Sequence, residues 1–216
     1  FYPRGSVILF EHDPGDSLFV VRQGRVKVVL IGEDGREVIL GVLSAVGGWL
    51  KRRQCKRDST KMALIDVHQH VIPNVYKDAL ARIGVQGSGE NSWPAWSVER
   101  QLELMDELGI GATLISIASP GAYFGDLGFT KRLVKACNEA MEQIVSDNPG
   151  KFGAMGFVSL PDVEAACRDV EYVLDVLKLD GINLQTHTGH HYLGHSEEDE
   201  LYAELDRRRA VVFVHP

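Results

Sequence analysis

The sequence predicts an α/β protein: a truncated (β/α)8 TIM-type barrel of about five β/α units, preceded by a small, partial all-β roll. Three observations predict it. The first 43 residues are short β-rich runs broken by turn clusters, with no helical period. From residue 62 onward apolar runs of strand length alternate with segments of helical period, the pattern of a parallel sheet covered by helices. The first of these later runs ends in His68-Gln69-His70, and the last ends in His215.

In the N-terminal part the predicted strands lie at 7–10, 18–21, 26–30 and 38–40. The clusters 12–16, Gln23-Gly24 and 32–35 supply the turns, which suits a small barrel or roll. The basic run Lys51-Arg52-Arg53-Gln54-Cys55-Lys56-Arg57 follows. Dense positive charge can contact nucleic acid, but no recognition fold accompanies it, and a solvated linker is the favoured reading. The sequence therefore divides into 1–49, a basic linker or frame-shifted join at 50–61, and a barrel segment at 62–216. Charge divides the same way: residues 1–61 carry 11 Lys/Arg against 7 Asp/Glu, and residues 62–216 carry 12 against 23. Such asymmetry suggests two units of different origin.

In the barrel segment strands are predicted at 63–67, 112–117, 153–158, 181–185 and 211–214. Ser97 is the predicted cap of a helix with Val98, Leu102, Met105 and Leu108 on one stripe. Thr130 is the predicted cap of a second helix, Asp162 of a third, and Ser196 with Asp199 starts a fourth. A complete eight-unit barrel needs about 250 residues; 155 run from Met62 to Pro216, so the expectation is a barrel cut short.

Overall composition, 44% hydrophobic and 25% charged, is that of an ordinary globular chain. No apolar run reaches the ~20 residues that cross a bilayer, and no membrane partner is expected. Cys55, Cys137 and Cys167 are an odd number without metal-type spacing; Cys137 and Cys167 fall on apolar helical stripes. Buried free thiols in a reducing compartment, hence a cytoplasmic protein, are expected.

The chemistry starts at His68 and His70. Side chains alternate along a strand, so the two imidazoles face one way and form half of a divalent-metal site. His215 also leaves the C-terminal end of a strand, where functional residues of β/α barrels cluster. Two loops are predicted to face the same site: 119–126, with Tyr123, and 186–195, with His187, His190, His191 and His195. No spacing among those four histidines fixes a geometry, so a polar rim is favoured over a second metal site. Trp93 and Trp96 flank Pro94 and either close over an aromatic substrate or pack as a surface loop.

Two resemblances follow from these residues. Tyr2-Pro3-Arg4-Gly5, the run 13–21, Gly24-Arg25-Val26-Lys27-Val28 and Asp34-Gly35-Arg36-Glu37 resemble the start of a cyclic-nucleotide-binding domain of the catabolite-activator type. The family's Gly-Glu phosphate cassette is replaced by Ala45-Val46-Gly47-Gly48-Trp49-Leu50, so cyclic-nucleotide binding is not expected. The regulator-like pattern dissolves near Ala45, and Met62-Ala63-Leu64-Ile65-Asp66 reads as a fresh start; a shifted reading frame joining two genes accounts for both.

The runs 65–70, Trp96-Ser97 with 105–110, 149–152, 179–182 and 212–216 resemble the amidohydrolase-related metal-dependent hydrolases. Within them the resemblance points to the branch of aminocarboxymuconate-semialdehyde and 6-methylsalicylate decarboxylases. It implies that His68, His70 and His215 hold one Zn²⁺ or Mn²⁺, and that Asp66 steadies the strand and the ligands without binding the ion. It implies a decarboxylase of a small aromatic or unsaturated carboxylic acid, in a family that can form homo-oligomers. The alternatives are a hydrolase of the same superfamily and a cyclic-nucleotide-responsive module at the N-terminus. Trp96, Tyr123, His187 and His191 are the expected substrate-loop residues. The family's aspartate ligand and acid–base histidine are expected beyond Pro216, which predicts weak or no turnover by the chain as given.

Overall fold

The computed structural model describes residues 25–31, 37–44, 64–88, 91–117 and 119–215. The chain divides into two compact units, Phe1–Gly48 and Trp49–Pro216. In the first, β1 (Arg25–Ile31) and β2 (Glu37–Ser44) form an antiparallel pair whose register slips between Val28 and Val29. The expected strands at 7–10 and 18–21, the basic run and the join lie outside the described residues.

The second unit is built on five parallel strands. They are β3 (Leu64–Val71), β6 (Ile110–Ile117), β7 (Phe152–Gly156), β8 (Gly181–Gln185) and β11 (Val212–His215). Their order in the sheet is β11-β8-β7-β6-β3. Each crossover carries helix: α1 (Asn74–Ala81) and α2 (Val98–Leu108) before β6, and α3 (Leu127–Asp147) before β7. A helical segment of α4 (Val163–Glu171) and a π-turn at Tyr172–Val176 precedes β8, and α5 (Asp199–Arg208) precedes β11. Two small antiparallel pairs decorate the frame, β4 (Gly87–Ser88) with β5 (Asn91–Ser92), and β9 (His187–Thr188) with β10 (His191–Tyr192). Among the described residues no helix is long and apolar enough to cross a membrane.

Local chemistry sets the boundaries. Ser97 Oγ accepts from the Arg100 N–H at 3.2 Å and starts α2, as expected, and Gly109 ends it with φ 68°. Asp162 caps α4 through the Ala165 N–H. The cap of α3 is Asp126, not Thr130: its carboxylate accepts from the Phe129 N–H at 2.8 Å. Thr130 lies one turn in, buried, with its hydroxyl donating to the Asp126 carbonyl. His195 caps the short 3-10 turn Ser196–Glu198, and α5 begins only at Asp199. Helix α1 is absent from the expectation, and Pro73 at its N-cap offers no side-chain acceptor.

Two glycines let the layers close. A Cβ on Gly156 would sit 2.6 Å from Val173 Cγ1, and one on Gly181 would sit 2.4 Å from the Val211 carbonyl oxygen. The α4/π-turn segment thus rests directly on β7, and β11 passes close to the start of β8. Most of the predicted helical stripes are buried as expected, but Leu108 is exposed and Gln101 takes a buried place on α2. Of the two described cysteines, both free thiols, Cys137 is buried as expected; Cys167 is only half-buried, because α4 turns it toward the rim of the layer.

Candidate metal centre

The strand β3 runs four residues further than its apolar core predicts, and both histidines belong to it. Its register against β6 is Asp66↔Thr113 and then Gln69↔Ile115, three steps facing two. The extra residue is a bulge at Val67-His68, a device that re-aims a side chain at a strand end. The Asp66 carboxylate accepts the His68 backbone N–H at 3.0 Å, satisfying a donor that the bulge frees from the ladder. Asp66 therefore acts on the backbone that carries His68.

His70 is in register with Ser116 on β6, whose buried hydroxyl lies 3.4 Å from His70 Nδ1. His215 is in register with Gln185 on β8, and its carbonyl accepts from the Thr186 N–H at 2.7 Å. The three imidazoles meet. His68 Nε2 lies 3.1 Å and His215 Nε2 3.0 Å from His70 Nε2. The ring pairs cross edge-on, with centroids 4.7–5.2 Å apart. The Phe213 ring flanks His68 at 4.9 Å.

This meeting measures the curvature of the sheet. β3 and β11 are its two edges, and four gaps of about 4.8 Å would separate them by about 19 Å in a flat sheet. Imidazole nitrogens 3.0 Å apart across those edges require the sheet to curl into an arc, with the histidines on its inner side.

The electrostatics favour neutral rings at His68 and His70. Burial lowers the pKa of His68, the neighbouring His215 lowers it further, and Asp66 opposes both. For His70 burial again acts first, then His215 and His68, against a hydrogen bond to the Ser116 backbone. A neutral imidazole has one N–H and one lone pair. His70 Nε2 has a single site and cannot serve two partners well. Nitrogens bound to one cation at about 2.1 Å can be at most about 4.2 Å apart, and both Nε2 separations given above fall inside that limit. The donor set fits a divalent metal.

A cleft of about 650 Å³ lies at the C-terminal ends of β6, β7 and β8. Tyr123 and Phe124 form one wall, Phe157, Val158 and Leu160 another, and His187 with His190 the rim. Asn183 and Gln185 line its floor, and Gln185 links it to the centre through its register with His215. Asn183 Oδ1 and Gln185 Nε2 are buried and have no hydrogen-bond partner among the described residues. Among the described residues the lining holds no Lys, Arg, Asp or Glu.

Of the expected loop residues, Tyr123 and His187 face this cleft. Trp96 does not: with Trp93, which meets the Tyr76 ring at 5.7 Å, it packs against the core. The segment 93–97 runs directly into α2 and is held there. His191 also lies off the cleft lining, stacked on His195. Ser116, Asn183 and Gln185 escaped the sequence reading. Their signal was present, since a polar residue inside an otherwise apolar buried strand is the informative exception.

Comparison with known proteins gives these local features a context. Residues 65–216 match the family model described as amidohydrolase, and residues 1–49 match that of the cyclic nucleotide-binding domain. The 6-methylsalicylic acid decarboxylase of Penicillium expansum is 35% identical over 161 residues, which is 72% of this chain and 49% of that protein. A crystal structure described as an amidohydrolase II shares 30% identity with a TM-score of 0.67, covering 71% of this chain and 50% of its own. The 5-carboxyvanillate decarboxylase of Novosphingobium aromaticivorans, solved with manganese and 4-hydroxy-3-methoxy-5-nitrobenzoic acid, has the same fold. It shares 20% identity at a TM-score of 0.65, over 76% of this chain and 53% of its own. The chain spans about half the length of the curated relatives it matches. With the family model covering most of its length, the chain belongs to the amidohydrolase family.

Proposed function

We propose that the protein is a divalent-metal-dependent decarboxylase of a small aromatic carboxylic acid, with His68, His70 and His215 as ligands of Zn²⁺ or Mn²⁺. The observation that carries this reading is the convergence of three imidazole nitrogens; the neighbouring strand β8 lines a cleft walled by Tyr123, Phe124 and Phe157 that holds no charged side chain among the described residues. Such walls accept an aromatic ring. An anionic substrate has no Lys or Arg to meet there, so the balancing charge has to come from the histidine centre. A divalent cation bound at that centre supplies Lewis-acid charge to hold and polarise a carboxylate.

The chain's own groups do the positioning. The curl of the sheet fixes the histidines, and the bulge and Asp66 aim His68. Gln185 Nε2, without a partner among the described residues and on the residue in register with His215, is placed to orient polar groups on the ring. Related decarboxylases act on 6-methylsalicylic acid and 5-carboxyvanillate, both aromatic acids, which supports the same substrate class here. The free thiols Cys137 and Cys167 support a cytoplasmic location.

The test is equilibrium binding of 4-hydroxy-3-methoxy-5-nitrobenzoate, followed by its nitro absorbance, to metal-free, Mn²⁺-loaded and Zn²⁺-loaded protein. Carbon dioxide release from 6-methylsalicylate is measured alongside. Metal-dependent binding that His70→Ala abolishes is expected. Equal binding with and without metal overturns the reading. Hydrolysis of an amide or ester without carbon dioxide release favours the hydrolase alternative.

A further inference from the structure

The loop after β8 holds a second cluster of metal-ligating side chains, separate from the first. His191 lies on β10, and His195 and Glu197 lie in the turn that leads into α5. One donor atom from each, with the other two, falls within 4.8 Å. The His191 and His195 rings are stacked, with centroids 3.8 Å apart and planes 7° from parallel. Glu197 Oε2 is 3.7 Å from His191 Nδ1. The Glu197 backbone N–H donates to His195 Nδ1 over a long 3.3 Å. That bond occupies the His195 Nδ1 lone pair, and at 3.3 Å it is long enough for a cation to displace.

The scaffold around the cluster is built. Tyr202 on α5 donates to the buried Glu198 at 2.6 Å and accepts from the Gly194 N–H at 2.9 Å. These bonds pin the residues on both sides of His195 and Glu197. The hairpin carrying His191 turns through Gly189, whose φ is +62°. Residues 187–190, on the near side of that hairpin, line the cleft.

We propose that His191, His195 and Glu197 form a second divalent-cation site, taking an ion of the Zn²⁺ class, that ties the β9–β10 hairpin to the turn before α5. Two imidazoles and one carboxylate select a borderline ion such as Zn²⁺ over the hard ions Ca²⁺ and Mg²⁺. Closing on one ion draws the donors together by about half an ångström, given Zn–N and Zn–O bonds of about 2.1 Å, and tilts the two rings out of their stack. The partly exposed side chains and the short hairpin leave room for that adjustment. An occupied site holds the cleft rim, with His187 and His190, in one position.

The test counts zinc. Protein equilibrated with ZnCl2 is separated from free metal by dialysis, and bound zinc is measured per chain for the wild type, His195→Gln and Glu197→Gln. The proposal expects stoichiometry to fall by one ion in His195→Gln. A lower affinity is expected in Glu197→Gln, read by competition with a chromophoric chelator. Substituting Co²⁺ is expected to add a ligand-field absorption band that His195→Gln removes and His70→Ala leaves in place. Unchanged zinc stoichiometry in His195→Gln overturns the proposal. So does the loss of all bound zinc in His70→Ala, which would place all the metal at the first centre. Circular dichroism of His195→Gln, whose side chain is only partly buried, verifies that a lost ion is not a lost fold.

Discussion

Asn138, in the middle of α3 and fully buried, clamps the strand end that becomes the cleft wall. Its amide nitrogen donates to the Phe157 carbonyl at 2.9 Å, and its amide oxygen accepts the Phe157 N–H at 2.8 Å. Phe157 follows β7, where the sheet ladder no longer serves its backbone. Asn138→Ala orphans a buried N–H and a buried C=O. At about 1–3 kcal/mol for each buried group left unpaired, the cost is about 2–6 kcal/mol. For a unit of this size that lowers Tm by roughly 5–20 °C, at about 2–4 °C per kcal/mol. Asn138→Leu refills the volume without restoring either bond, so it separates the clamp from simple packing. Thermal and urea unfolding followed by circular dichroism give the answer. An Asn138→Leu variant within about 1 kcal/mol of wild type would refute the reasoning, since neither backbone group would then depend on the clamp.

Three other outcomes follow from the structure. Gly181→Ala, whose Cβ meets the Val211 carbonyl at 2.4 Å, is expected to lose about 1–3 kcal/mol by overpacking, read as a lower urea midpoint; an unchanged midpoint contradicts the close approach of β11. Cys137, its thiol pKa pushed up to about 12 by burial, is expected to stay unlabelled by iodoacetamide at pH 8 until the chain unfolds, as peptide mapping will show. The folded pKa values of His68 and His70 lie below the ordinary 6.5, so the metal-free fold takes up fewer protons than the unfolded chain. Their contribution is therefore present above about pH 6.5 and lost as pH falls through the lowered values. Urea midpoints at pH 7.5 and 5.5 should converge in a His68→Asn/His70→Asn variant, and an unaltered pH dependence contradicts the assignment.

The strands and most helices of the second unit were legible because their apolar periods were clean and their caps were Ser97 and Asp162. Helix α1 was not, since it starts at Pro73 with no side-chain cap and buries only Tyr76 and Leu80. The start of α3 was misplaced by one turn because Asp126 and Thr130 both satisfy the rule for a cap, and only the path through Gly125, at φ +88°, decides between them. The pairing of His68 with His70 was legible from strand alternation, yet the bulge that aims His68 is a register fact with no signature in the apolar pattern. The cleft was not legible either. Its floor comes from β8 and its walls from the loops after β6 and β7, which become neighbours only when the parallel sheet assembles. Trp96 illustrates the limit: its composition suits an aromatic lid, and its attachment to α2 turns it into the core.

The curl would also couple metal binding to the stability of the fold. His68 and His70 stand on one edge strand and His215 on the other, so an ion bound by all three bridges the sheet's two edges. Flattening the sheet pulls the nitrogens apart and releases the ion, and by linkage an ion that binds only the curled form stabilises it. At a free metal concentration of 100 times Kd the gain is about 2.7 kcal/mol, or roughly 5–11 °C in Tm. His70 contacts both other rings, so His70→Ala is expected to abolish this rise, while His195→Gln, at the other cluster, keeps it. Thermal scans against Mn²⁺ concentration, with bound metal measured in parallel, test the coupling. Wild-type protein that binds Mn²⁺ without any rise in Tm would show that the ion does not need the curled sheet, and that the three histidines do not hold it together.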